Sequence, residues 1–324
     1  MAQPALSQPS LHILVIGAGV IGSVYAAWLQ RAGQQVTILA RGQHLAELHE
    51  HGLIIEDMGT GQVLTTPIET VDHLAADDAY DLLIVAVRLD QVTAVLPRIA
   101  ANSLIPTVLF LLNNAFGAEQ FAEAVGRERM VLGFPGIGGR RDGSTIKYYV
   151  LSQQPTTLGE VSGQMTSRLR MLAELVKATD HRVALTAHIG AWLKTHAIFV
   201  TCVSAAIDQC DGDSVHLSQN RSAVTTMVQA IREGFRALQA QGIPVAPQNL
   251  AVLFGWMPRW FAVRYWQRSL QGPVGTLAIA PHVRAAQGEM AALAMQVLTL
   301  VQPSLVPTPT LHQLLATLTT PLRD

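Results

Sequence analysis

Apolar runs alternate with helical periods through the first half of the chain. Residues 12–16 (HILVI), 35–40 (QVTILA), 81–87 (DLLIVAV) and 107–112 (TVLFLL) are largely apolar stretches, the pattern of strands buried on both faces. Residues 131–134 predict a fifth strand. Between the first two, residues 20–32 predict a helix that stops at Gly33, where a left-handed C-terminal glycine belongs. Residues 52–67 carry three glycines and alternating polarity, which predicts a small hairpin. Strands separated by helices imply βαβ units and a parallel sheet.

After residues 182–186 the period changes. Helices are predicted over 187–207, 223–241, 248–267, 281–301 and 310–318, punctuated by Gly and Pro at 242–244, 272–273 and 303–309. The expected organisation is a disordered leader over 1–10, a doubly wound α/β domain over 11–185 and an all-helical domain over 186–324.

Composition narrows the class. With 49% hydrophobic and 14% charged residues, the chain can bury a large core and is no linker. Its 22 basic and 23 acidic residues give a net charge of -1, so no broad basic surface offers itself to nucleic acid. Two cysteines, Cys202 and Cys210, suit a reducing compartment. The mean hydropathy of +0.29 invites a search for membrane spans. Residues 104–112 are too short, however, and 187–207 are interrupted by His188, Lys194 and His196. Residues 1–10 lack the features of a signal peptide. The expectation is a cytoplasmic protein with no membrane and no nucleic-acid partner.

Candidate chemistry begins at Gly17-Ala18-Gly19-Val20-Ile21-Gly22, a G-x-G-x-x-G directly after a buried strand and opening a helix. Gly17 suits the tight turn, Gly19 allows close approach of a pyrophosphate, and Gly22 permits helix–strand packing. This is the fingerprint of a Rossmann-type dinucleotide site. At the end of the second strand, where a site for NAD usually has an acid, the sequence reads Leu39-Ala40-Arg41-Gly42. An arginine there can pair with a 2′-phosphate, so NADP(H) is the expected cofactor; the alternative is a solvated surface arginine.

With these residues in view, the chain resembles the ketopantoate reductase (2-dehydropantoate 2-reductase) family. The resemblance rests on Gly17–Gly22, Arg41, Val87-Arg88, Asn113-Asn114-Ala115-Phe116-Gly117, Gly139-Arg140-Arg141-Asp142-Gly143 and Trp192-Leu193-Lys194. It implies NADPH-dependent reduction of a 2-oxo acid in a cleft between the two domains. Carried over, Arg88 stands for a lysine near the cofactor, and Asn114 for an asparagine that meets cofactor and substrate. Lys194 stands for the catalytic lysine, acting as acid or oxyanion stabiliser. Glu289 falls near a C-terminal glutamate that would orient Lys194 or bond the substrate. Thr276 is the nearest hydroxyl to a family serine. The family's asparagines four and eight residues after the lysine are Ile198 and Cys202 here, which predicts poor reduction of ketopantoate itself.

The residues give Lys194 independent interest, because a lysine inside an otherwise buried helix must be paired, snorkel or face a cleft. His188, Lys194 and His196 make a poor metal-ligand set, so no metal is expected. His188 and His196 are expected to be ordinary helix residues, Tyr148-Tyr149 strand residues, and Asp208, Asp211 and Asp213 a solvated turn. Trp256, Trp260 and Trp266 are expected mostly in helix–helix packing. A homodimer is a further expectation. The competing readings are a reductase of a different small carbonyl compound and a non-catalytic NADP(H)-binding sensor.

Overall fold

The computed structural model describes residues 10–319; all but Ser10 of the leader over 1–10 lies outside them. β1 (His12–Ile16), α1 (Val20–Arg31), β2 (Gln35–Leu39) and α2 (Gly42–His51) follow the predicted order. The predicted hairpin is β3 (Leu53–Asp57) and β4 (Val63–Thr66), followed by β5 (Glu69–Val71). β6 (Leu82–Val85), α3 (Leu89–Ala101), β7 (Val108–Leu111), α4 (Glu119–Val125) and β8 (Met130–Phe134) complete the parallel core. The central strands are buried on both faces, as their apolar runs require.

Four strands then add to the edges. β9 (Ile137–Asp142) and β10 (Thr145–Val150) form a hairpin, and β11 (Thr156–Glu160), α5 (Ser167–Lys177) and β12 (Val183–Leu185) end the α/β part. The main sheet has the order β12-β11-β8-β7-β6-β1-β2-β5, with β11 antiparallel to β8 and the core strands parallel. The smaller sheet, β4-β3-β10-β9, joins the two hairpins through parallel pairing of β3 and β10. α1 packs between the two sheets and is buried from Gly22 to Leu29.

The described residues beyond β12 are helical: α6 (Ile189–Asp208), α7 (Ser214–Gln219), α8 (Arg221–Ala240), α9 (Gln248–Ala251), α10 (Arg259–Gln271), α11 (Ala280–Ala285), α12 (Gln287–Val301) and α13 (Pro309–Thr319). Two predicted helices are broken. The stretch 248–267 is α9, a π-helical turn over Val252–Trp256 and then α10, because Pro258 disfavours the helical region for Met257, which is extended. The stretch 281–301 divides at Ala286, whose ψ of 37° leaves the helical range. α6 is long and apolar enough to cross a bilayer, but it lies in the core of the bundle.

Three aromatic and histidine readings also change. Trp256 and Trp260 are 87% and 63% exposed rather than packed between helices; only Trp266 is buried. His188 stands at the N-cap of α6, outside its regular turns. Tyr148 and Tyr149 do lie in β10.

Candidate active site

The carboxyl ends of the parallel strands hold the glycine turn. Gly17 has φ of 116°, and a Cβ there would lie 2.5 Å from the Ala86 carbonyl oxygen. A Cβ on Gly22 would meet the Gly17 oxygen at 1.9 Å, so helix and turn interlock. Gly19 faces open space, with no atom within 4 Å of its absent Cβ. It is the N-cap of α1, and neither a side-chain cap nor a first-turn acid satisfies that helix end. The N–H groups of Val20, Ile21 and Gly22 therefore remain available beside an open floor. Residues 17–22 fit a dinucleotide pyrophosphate.

At the end of β2, Arg41 is exposed at the N-cap of α2, and its Nε donates to the Asp72 carbonyl at 3.4 Å. It has no ion pair among the described residues, and α2 has no acid in its first turn. A residue missed by sequence reasoning lies close by. Arg141 of β9 donates through Nη2 to the Ala18 carbonyl at 2.6 Å and pairs through Nη1 with Glu47 at 3.2 Å. Burial pulls its guanidinium below the ordinary value while Glu47 pulls it back up. The motif around Arg141 was visible, but its placement on the glycine turn depends on the smaller sheet covering α1.

The loops after β6 and β7 meet the helical domain. Arg88 donates to the Ala285 carbonyl at 3.3 Å and pairs with Asp90 at 3.4 Å, so its side chain bridges the domains instead of standing free. Asn114 builds its own loop: its Oδ1 accepts from Phe116 and Gly117 N–H at 2.9 Å, and its Nδ2 donates to the Gly117 carbonyl at 2.6 Å. The neighbouring Asn113, not singled out before, donates to Glu289 at 3.1 Å and leaves its buried Oδ1 without a partner.

Glu289 is 3% exposed and accepts from Leu89 N–H at 3.4 Å as well as from Asn113. His282 approaches its other oxygen at 3.4 Å. It does not pair with Lys194, which corrects the reading that Glu289 orients that lysine. In this sheet order, the ends of β6 to β8 lie on the side away from β2, where the nicotinamide half of a dinucleotide belongs.

α6 presents two faces. His196 packs its ring 3.9 Å from Phe134, at the end of β8, and stacks on Trp192 at 5.2 Å. Burial, with repulsion from His282, drives its pKa down to about 3, and its Nε2 has no partner. Lys194 lies two residues earlier, about 200° round the helix, and is therefore turned away from Phe134. It is half-buried, with no hydrogen bond or ion pair among the described residues. Ile198 and Cys202 are fully buried. Ile198 sits so close to α8 that a Cβ on Gly234 would lie 2.6 Å from its Cγ2, and burial pushes the Cys202 thiol up. As the structure stands, neither lines an open cleft, contrary to their reading as substrate contacts. Thr276 donates its hydroxyl to Gly272 at 3.2 Å, in a π-helical turn that packs on β9, apart from Glu289.

Residues 13–163 match the family described as "Ketopantoate reductase PanE/ApbA". The chain is similar to a 2-dehydropantoate 2-reductase of Pyrococcus horikoshii, 22% identical over 249 residues that cover 75% of this chain and 79% of the relative. In fold it is similar to 2-dehydropantoate 2-reductase from Geobacter metallireducens (TM-score 0.79, 15% identity, 95% and 99% of the two chains). It is also similar to D-mandelate dehydrogenase in a ternary structure with NADH and anilino(oxo)acetate (TM-score 0.76, 17% identity, 94% and 97%). With the glycine turn and the two-part architecture, these likenesses make the chain similar to the ketopantoate reductases, in sequence through its cofactor-binding part and in fold along nearly its whole length.

Proposed function

We propose that the protein is an NADPH-dependent reductase of 2-oxo acids with apolar side chains. The observation that carries the cofactor choice is Arg41, exposed and with no ion pair among the described residues just beyond β2, where a carboxylate would repel a 2′-phosphate. A bound nicotinamide would supply the hydride. Hydride addition to a ketone leaves negative charge on its oxygen, and we assign its stabilisation or protonation to Lys194, whose ammonium has no partner among the described residues and rides on a flexible stem. The amides that the resemblance implies one and two turns further along α6 are replaced by Ile198 and Cys202, which are buried in the bundle, so α6 has no amide there to offer a hydroxylated substrate. The similar D-mandelate dehydrogenase was solved with an oxo acid derivative carrying an aromatic group, which supports an apolar side chain here.

Steady-state reduction tests this reading with NADPH and NADH against ketopantoate and a series of apolar 2-oxo acids. Apolar acids should exceed ketopantoate by about 100-fold in kcat/KM, since each lost hydrogen bond costs roughly 1–3 kcal/mol. Efficient reduction of ketopantoate, or a preference for NADH, overturns it. One observation favours a second reading, an NADP(H)-binding sensor without turnover: Lys194 is turned away from the end of β8. Tight NADPH binding with no oxidation across the whole series would establish that alternative.

A further inference from the structure

Strand β9 carries two adjacent arginines with opposite surroundings. Arg140 is exposed and stands 3.7 Å from Asp142, whereas Arg141 shares the inward face of Ile137 and Gly139, which packs on α1. The guanidinium of Arg141 bridges the gap between the glycine turn and α2. Its Nη2 donates to the Ala18 carbonyl at 2.6 Å, and its Nη1 reaches Glu47 of α2 at 3.2 Å. Glu47 is itself held by the Gln43 amide at 2.9 Å, so the arginine is tethered to both walls of the gap.

Capping one carbonyl takes a single N–H group. A guanidinium has five in a planar fork, and the two bonds it makes here leave three of them unused. The side chain keeps 28% of its surface accessible, so these donors can meet a ligand. One residue beyond Ala18, the N-terminus of α1 opens at Gly19, with no side-chain cap and no acid in its first turn. A pyrophosphate seated there carries two negative charges, and a fork of N–H donors takes phosphate oxygens in pairs. We propose that Arg141 is a ligand of the cofactor pyrophosphate, delivered to the glycine turn by the smaller sheet. Glu47 offsets its charge at a distance, so the recognition is short-range and directional. The proposal rests on the dinucleotide reading of residues 17–22 and is independent of the choice between NADPH and NADH. It divides phosphate recognition between two arginines: Arg141 serves the pyrophosphate that both cofactors share, and Arg41 the 2′-phosphate that only one carries.

Isothermal titration calorimetry on the full chain tests this without turnover. The probes are ADP, which has the pyrophosphate alone, and adenosine 2′-phosphate, which has the other phosphate alone. Arg141→Ala should weaken ADP about 10- to 100-fold, the worth of one charge-assisted contact, and leave adenosine 2′-phosphate within about 2-fold. Arg41→Ala should do the reverse. If Arg141→Ala does not fold, Arg141→Lys carries the test and should also weaken ADP, because its ammonium can still cap the Ala18 carbonyl but lacks the paired donors. An unchanged ADP affinity overturns the proposal. So does an equal loss for both probes, which marks a distorted groove, or a loss for adenosine 2′-phosphate alone, which places Arg141 at the ribose. A wild type that binds neither probe removes the dinucleotide reading and the proposal with it. One that binds ADP but ignores adenosine 2′-phosphate counts against the NADPH preference only, and adenosine then serves as the probe without a pyrophosphate.

Discussion

Asn113, at the end of β7, donates a hydrogen bond across the domain seam to Glu289 near the start of α12, at 3.1 Å. The carboxylate also serves Leu89 N–H and His282, so it ties two loops of the sheet to two helices. In Glu289→Gln the new amide can turn its N–H groups towards other donors. The variant should lose about 2–4 kcal/mol of stability, the cost of breaking a buried charge-assisted set. Urea denaturation measures it, and a loss below about 0.5 kcal/mol would mean the seam does not depend on this carboxylate.

Arg41→Ala should weaken NADPH binding by about 1.5–3 kcal/mol and leave NADH binding almost unchanged. Titration of nicotinamide fluorescence reads both constants in the same protein. Equal losses for the two cofactors would place Arg41 away from the 2′-phosphate.

Lys194→Ala should reduce turnover by about 10²–10⁴ while NADPH affinity stays near the wild-type value, because the glycine turn lies in the other domain. Lys194 has no hydrogen-bond or ion-pair partner among the described residues to lose, so folding should also be intact. Retained turnover would move the acid elsewhere on α6 or α11.

His196 supplies a pH dependence. Burial, then His282, holds its folded pKa at about 3, below the ~6.5 of an unfolded chain. Above about pH 6.5 both states carry a neutral ring, so it adds no slope. As pH falls from there towards 3, only the unfolded chain takes the proton, and stability drops by up to about 1.4 kcal/mol per pH unit. His196→Phe should remove one proton's worth of that slope in urea midpoints between pH 7 and 4. An unchanged slope would show that the folded ring protonates after all.

The parts of the fold that were legible are those set by local pattern. β1 runs from His12 to Ile16 as read, and the glycine turn follows from six consecutive residues. The break at Pro258 was written in the chain, but apolar periodicity outweighed a single proline in the reading of 248–267. The domain seam was not legible in the same way. Asn113 and Glu289 are 176 positions apart, and nothing in the spacing of either points to the other. Asn114 carried the motif, while its neighbour makes the cross-domain bond. His196 reads as one more helix residue until Phe134 is placed under it.

The placement of α1 between two sheets has a consequence for how the chain is made. The glycine motif has left the ribosome once residue 22 is out, but one wall of its housing is β10, whose residues 145–148 pair with 54–57. Trp28 lies edge-on to Tyr148 at 5.5 Å and stacks on His181 at 3.4 Å. Until those later residues emerge, that side of the nucleotide-binding helix has nothing to bury it. Over the 120 residues of elongation that separate it from Tyr148, Trp28 is thus an exposed, adhesive position on a nascent chain. A product terminated before Thr145 would carry the whole cofactor fingerprint and be held back by aggregation instead of binding a nucleotide.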